Sequence, residues 1–270
     1  MSTDTREERF ERRVAHLNAT DPQFAAAKPD PAISETIEKP GMSLDTLVRT
    51  VMEGYAGRPA LGERAVEFVT DAQGRTIAKL LPRFDTITYA ELWGRVNTLT
   101  SALSGVHPGD RVAILGFASV DYTVIDMATI SLGAVSVPLQ TSAPITSLRP
   151  IATETEPTVI ASSIDYVDDA VELVLTGHTP TTLIVFDYRA EITEHREAYD
   201  AARARLAEAA STVMVETLQD VLERGKTLPA RPSAHREADD LALLIYTSGS
   251  TGAPKGAIYT RSLFAKLWLP

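Results

Sequence analysis

Between Thr247 and Lys255 the chain reads TSGSTGAPK, packing four hydroxyl side chains, two glycines and a lysine into nine residues. Glycine lets a backbone approach a ligand closely. Successive N–H groups in a turn form a concavity suited to an anion. The hydroxyls of Thr247, Ser248, Ser250 and Thr251 add donors, Gly249 and Gly252 supply freedom, and Lys255 brings a mobile positive charge. Such a set is suited to gripping a polyphosphate. Most Gly/Ser/Thr clusters are plain turns. This one directly follows the apolar run Leu241–Tyr246 (LALLIY), which reads as a buried strand. It is not a G-x-x-x-x-G-K-[ST] loop, because Lys255 precedes Gly256 and Ala257 follows.

Other reactive residue types form no comparable group. The five histidines (16, 107, 178, 195 and 235) show neither H-x-x-x-H nor H-E-x-x-H spacing, so no protein-ligated metal is expected. Asp121, Asp126, Asp168 and Asp169 read as charges on helix surfaces. His178 follows Gly177 and reads as a turn residue. Ser248 and Ser250 lack the G-x-S-x-G context of a hydrolase nucleophile. No residue stands out as catalytic.

The elements that would position the loop come in an alternating order. Before it, residues 5–19 and a second short helix from Asp21 form a charged, proline-punctuated N-terminal region. A helix is expected over 43–55, with Leu44, Leu47, Val48 and Val51 on one face. Strands over 60–69 and 75–81 flank the turn Asp71-Ala72-Gln73-Gly74, and a third short strand covers 86–88. Thr88 and Glu91 make a capping box for a helix to Leu103. From Arg111 onward strands at 111–115, 134–139, 158–161, 183–186 and 213–215 alternate with helices. Pro150 is tolerable only in a first helical turn, with the cap at Thr146 or Ser147. Residues 225–239 read as an exposed connection, and 262–269 as the start of an apolar helix. Alternating β and α segments predict an α/β fold, a mostly parallel sheet with helices on both faces. Ligands gather at the carboxyl ends of such strands.

Composition narrows the classes. The net charge of −10 argues against nonspecific nucleic-acid or anionic-membrane binding. Without cysteine, disulfides, thiolate zinc sites and cysteine nucleophiles are excluded. The charged N-terminus lacks the apolar core of a secretory signal. No stretch approaches the ~20 apolar residues of a membrane span. The expected location is the cytoplasm.

The segment YTSGSTGAPKGA resembles the phosphate-binding loop of adenylate-forming (AMP-binding) enzymes. These comprise acyl-CoA synthetases, nonribosomal peptide adenylation domains and luciferases. DPQFAAAKP (21–29), LLPRFDTITYAELW (80–93), LGFASVDY (115–122) and SVPLQTSAP (136–144) are similar to one branch, the carboxylic acid reductases. The resemblance runs from about Thr5 to the last residue. It implies a helical N-terminal extension at 1–42 and the N-terminal part of an adenylation domain at 43–270, an incomplete fold with a peripheral β-hairpin. It implies ATP and Mg2+ at Thr247, Ser248, Gly249, Ser250, Thr251, Gly252 and Lys255, with a fatty or aromatic carboxylic acid becoming an acyl-AMP. A downstream adenine-site segment, a ribose-binding aspartate, a hinge and a lysine-bearing subdomain are implied and not found, so the chain reads as a fragment. Phosphopantetheine and NADPH would serve only carrier and reductase domains further on. Two other readings stand: a piece of a fatty acyl-CoA synthetase, and a non-catalytic remnant that binds nucleotide weakly.

Overall fold

The computed structural model describes residues 5–234, 236–248 (for Ser248 the backbone only) and 254–269. Internal contacts divide the chain between Met42 and Ser43 into two compact units. The first holds three helices: α1 (Arg6–Thr20), α2 (Pro22–Ala26) and α3 (Pro31–Ile37). Their starts are set by side chains accepting orphan N–H groups. Thr5 and Glu8 form a capping box on α1, Asp21 caps α2 and Asp30 caps α3.

The second unit opens with α4 (Leu44–Gly54), capped by Ser43, and a two-stranded antiparallel hairpin, β1 (Pro59–Thr70) and β2 (Thr76–Thr88). The two expected strands 75–81 and 86–88 are one continuous β2. The apparent break at Pro82 falls where the ladder is irregular, between the pairs Arg64↔Phe84 and Val66↔Leu80. A bulge accommodates a residue that cannot donate. Thr88 and Glu91 cap α5 (Tyr89–Ala102) as expected.

The remaining elements are β3 (Arg111–Leu115), α6 (Val120–Ser131), β4 (Val135–Leu139), α7 (Ile145–Thr155), β5 (Val159–Ser163), α8 (Val167–Thr176), β6 (Thr182–Phe186), α9 (Thr193–Glu208), β7 (Met214–Thr217), α10 (Leu218–Gly225), β8 (Leu241–Ser248), β9 (Pro254–Thr260) and α11 (Arg261–Lys266). Seven strands make one sheet in the order β7-β6-β5-β3-β4-β8-β9, parallel except for β9. Helices α7, α8 and α9 cover one face, while α5, α6 and α10 pack together on the other. Strands buried on both sides need apolar residues at every position. Val112–Leu115, Val159–Ile160 and Leu183–Phe186 supply them, all at most 1% exposed.

Pro150 sits inside α7, not in its first turn, because the helix begins at Ile145 with Pro144 at the cap. Pro144 is already extended (φ −69°, ψ 154°) and so starts the helix two residues earlier than a Thr146 cap would.

Four arginines close helix C-termini at the end of the sheet away from the glycine loop. A helix leaves its last carbonyls without partners, and cations are favoured there. Arg224 donates to Ala102 O at 2.9 Å, and Arg231 to Leu103 O and Val106 O, both at 2.9 Å. Arg111 donates to Thr155 O and, at 3.2 Å, to Glu156 O. Arg261 reaches Ile130 O at 3.2 Å. Residues 226–230 are exposed as expected, but Arg231, Ser233, Ala234 and Arg236 are half-buried. Ala234 N donates to Ser131 O at 3.0 Å. Gly133 (φ +69°) ends α6, and a Cβ there would come within 2.9 Å of Arg236.

Arg261 also pairs with Asp45 of α4, the two side chains being 3% and 13% exposed. Burial pushes the Asp45 carboxyl up despite the arginine, and pushes the Arg261 guanidinium down. Dehydration thus consumes much of the Coulomb attraction, as buried pairs generally show. Asp45→Ala leaves Arg261 charged, buried and unpaired, and is expected to cost about 3–5 kcal/mol. The double variant Asp45→Leu/Arg261→Met should recover most of it. Urea denaturation of the three chains checks this; equal destabilisation of single and double variants would refute it.

Candidate phosphate-binding hairpin and its flanking clefts

The expected loop sits between β8 and β9, which form an antiparallel hairpin at the sheet edge. Thr247 and Ser248, expected in the turn, belong to β8, and Lys255 belongs to β9. The strand outruns its apolar stretch because β9 pairs with it to the end: Thr247↔Lys255 and Ser248↔Pro254 are the last two partners. Directly opposite residues project to the same side of a sheet. The ladder therefore brings Thr247 and Lys255 together, both exposed, beside the loop. Gly249, Ser250, Thr251 and Gly252 lie outside the described residues, as does His235.

Beside the hairpin is a cleft of about 210 Å3, lined by Gln140, Ser142, Ser147, Tyr246, Thr247 and Pro254 among others. Its origin lies in β4. That strand meets β8 at one pair, Ser136↔Leu243, and Pro138 two residues on has no N–H to extend the ladder. The carboxyl ends of β4 and β8 part there, and the first turn of α7 closes the side. Sequence reasoning identified the strand and its loop, but neither the antiparallel β9 that follows nor this cleft. The proline in SVPLQ is the signal that could have found it.

A second cleft of about 220 Å3 lies at the carboxyl end of β6. Glu63 of β1 accepts from Val120 N at 2.8 Å, so the hairpin carboxylate caps α6. Asp121 pairs with Arg95 of α5 and accepts from Asp187 N at 3.1 Å. Arg189 stands 3.8 Å from Glu63. Asp187 holds a left-handed backbone (φ +54°) that few non-glycine residues adopt. Burial, then the Asp121 charge, pushes its carboxyl up to about 7; Glu63 and Asp165 add to the rise and the Ser119 hydroxyl opposes it. Two aspartates expected on helix surfaces are thus corrected. Asp121 is a buried-edge ion-pair partner, and Asp126 is enclosed between α6 and β4. Burial raises the Asp126 carboxyl and Ser136 opposes the rise, but Asp126 Oδ1 and Ser136 Oγ lack a hydrogen-bonding partner in good geometry. Helical periodicity alone does not reveal that β4 and α5 pack against α6 and leave residues 121–123 and 126 half-buried. Asp168 is exposed, as expected.

Among the described residues no three His, Asp or Glu side chains converge as a metal cage, and no helix is long and apolar enough to cross a membrane.

A family model described as AMP-binding enzyme matches residues 63–267. The chain is 61% identical to a carboxylic acid reductase of Mycobacterium tuberculosis over 97% of its own length and 22% of that protein's. A carboxylic acid reductase of Mycobacterium marinum is 54% identical over 99% and 23%. Among solved structures, the adenylation domain of a Mycobacterium chelonae carboxylate reductase superposes with a TM-score of 0.93 at 46% identity, covering 99% of this chain and 42% of that one. The Segniliparus rugosus adenylation domain, solved with AMP and a co-purified carboxylic acid, gives 0.90 at 44%, covering 96% and 42%. The chain thus spans less than a quarter of the full-length relatives named and about two-fifths of the solved domains.

The Asp187 cluster predicts a pH dependence. Its folded pKa of about 7 exceeds the ordinary 3.8, so between those values the folded chain holds more protons than the unfolded one. The stability contributed by neutral Asp187 is full below about pH 4 and is lost as pH rises through about 7. Asp187→Asn tolerates the left-handed backbone and stays neutral. Its stability relative to wild type should therefore rise between about pH 5 and about pH 8 in urea melts. An unchanging difference would show that Asp187 titrates normally.

Proposed function

This chain belongs to the AMP-binding enzyme family, and on that premise we propose that it is the nucleotide-gripping part of an enzyme that activates a carboxylic acid with ATP. In that reaction a carboxylate oxygen attacks the α-phosphorus, the bond to pyrophosphate breaks, and acyl-AMP and pyrophosphate form. The observation that carries the reading is the β8–β9 hairpin. It sets Thr247 and Lys255 as neighbours at the mouth of the glycine loop, on the carboxyl edge of a parallel sheet.

Thr247, Ser248, Gly249, Ser250, Thr251 and Gly252 would donate N–H and hydroxyl groups to the β and γ phosphates. Lys255 would add a charge-assisted bond to the same oxygens. Mg2+ would arrive with the triphosphate. The described residues at the hairpin offer hydroxyls and one cation and no carboxylate cage, so they suit the phosphate oxygens better than the metal. Their contribution is positioning and charge stabilisation. No residue of this chain is assigned the bond-making step.

Similarity to carboxylic acid reductases supports a wider setting. There the acyl group would pass from acyl-AMP to the thiol of a phosphopantetheine-bearing carrier domain, releasing AMP, and the thioester would be reduced with NADPH to an aldehyde and free thiol by domains beyond this stretch. The acid would be fatty or aromatic, and the location cytoplasmic. Residues 1–42 would be a helical extension, and 43–270 the N-terminal part of the adenylation domain.

Isothermal calorimetry with MgATP tests the grip. Loss of a hydrogen bond to a charged group costs about 1.5–3 kcal/mol, so Lys255→Ala should weaken binding by roughly ten- to a hundredfold. Lys255→Arg should retain part of it. Acid-dependent ATP–pyrophosphate exchange by the 270-residue chain would show turnover as well as binding. Absence of any MgATP binding would refute the grip.

A further inference from the structure

The side chains that would meet the triphosphate are set by the strand register, and that register is not uniform along the hairpin. At its far end Leu241 faces Thr260, and a shift follows before Leu243↔Tyr259. From there Leu244↔Ile258, Ile245↔Ala257, Tyr246↔Gly256 and Thr247↔Lys255 run in step. Had the Leu241↔Thr260 register continued unshifted, Lys255 would face Tyr246, and Thr247 would face Pro254. A one-residue slip turns every side chain to the opposite face. Lys255 would then lie on the α7 side of the sheet, where Leu244 and Tyr246 pack on the core, and away from Thr247.

Gly256 distinguishes the observed register from the slipped one. Its φ is outside the left-handed region, so backbone freedom is not what glycine provides there. What it provides is space: an added Cβ would stand 3.2 Å from Tyr246 Cζ and 3.4 Å from Cε1. The Tyr246 ring lies flat across the bare backbone of its cross-strand partner. An aromatic ring can cover a strand glycine in this way and pin register. In the slipped register the ring would meet the Lys255 side chain instead. We propose that Tyr246 and Gly256 form a register lock that holds Thr247 and Lys255 as partners on one face, making Tyr246 a positioning residue for phosphate binding.

The lock rests on the phosphate-gripping reading for its purpose, but not for its existence. Amide hydrogen exchange of residues 255–258 reads the lock without any ligand, and MgATP and tripolyphosphate titrations read its consequence. Tyr246→Phe keeps the ring and should leave both readouts at wild-type levels. Tyr246→Ala should speed exchange and weaken tripolyphosphate binding about tenfold. Gly256→Val separates the lock from strand preference. Valine favours strands and by propensity alone would slow exchange; the lock predicts faster exchange and weaker binding. In a Tyr246→Ala background, Gly256→Val should cause no further loss, since the ring it displaces is gone. Slower exchange in Gly256→Val, or equal effects of that substitution in both backgrounds, would overturn the lock. Should the wild-type chain bind neither probe, the phosphate reading falls while the exchange results alone decide the lock.

Discussion

The connection from β7 to β8 has to cross the sheet. β7 lies at one edge and β8 beyond β4, so residues 226–240 travel past the strand ends opposite the glycine loop. A segment packed against helix C-termini would strand carbonyls unless it brought donors with it. This one does. Arg231 serves the end of α5, Ala234 N serves the end of α6, and Arg261 just beyond β9 serves α6 again. These bonds deliver β8 to its place beside β4. Within the sheet, the described pairing of β8 with β4 is Ser136↔Leu243, and Leu244 and Tyr246 pack on the core beneath.

The two ends of the sheet are thus chemically distinct. At the amino ends of the strands, arginines satisfy helix carbonyls and the backbone is closed. At the carboxyl ends, the strands part and polar groups remain available. The cleft beside β8 and the carboxylate cluster around Asp187 both lie at that end. Pro138 interrupts one ladder, and Asp187 bends away from another in a left-handed turn. Such irregularities concentrate where a fold makes room for ligands.

Much of this was legible in order and composition. The alternation of apolar strands with amphipathic helices specified a mostly parallel sheet with two helical layers. The density of hydroxyls, glycines and a lysine after an apolar run marked the loop that follows β8. The capping box of Thr88 and Glu91 lay where local hydrogen-bonding rules put it. What could not be read was anything set by a distant partner. Asp126 looks like a surface charge in α6 until β4 and α5 cover that helix. Residues 231–236 look like a polar linker until the helix ends they serve are known.

The sequence by itself determined the fold class and singled out a loop whose residue types suit a phosphate, because periodicity and turn chemistry act within a few residues. Only the tertiary structure decided which of them face one another. It paired Thr247 with Lys255, laid Tyr246 over Gly256, and parted β4 from β8 at Pro138. Register, burial and helix-end contacts depend on groups far apart in the chain, and a linear pattern carries no record of which group arrives opposite which.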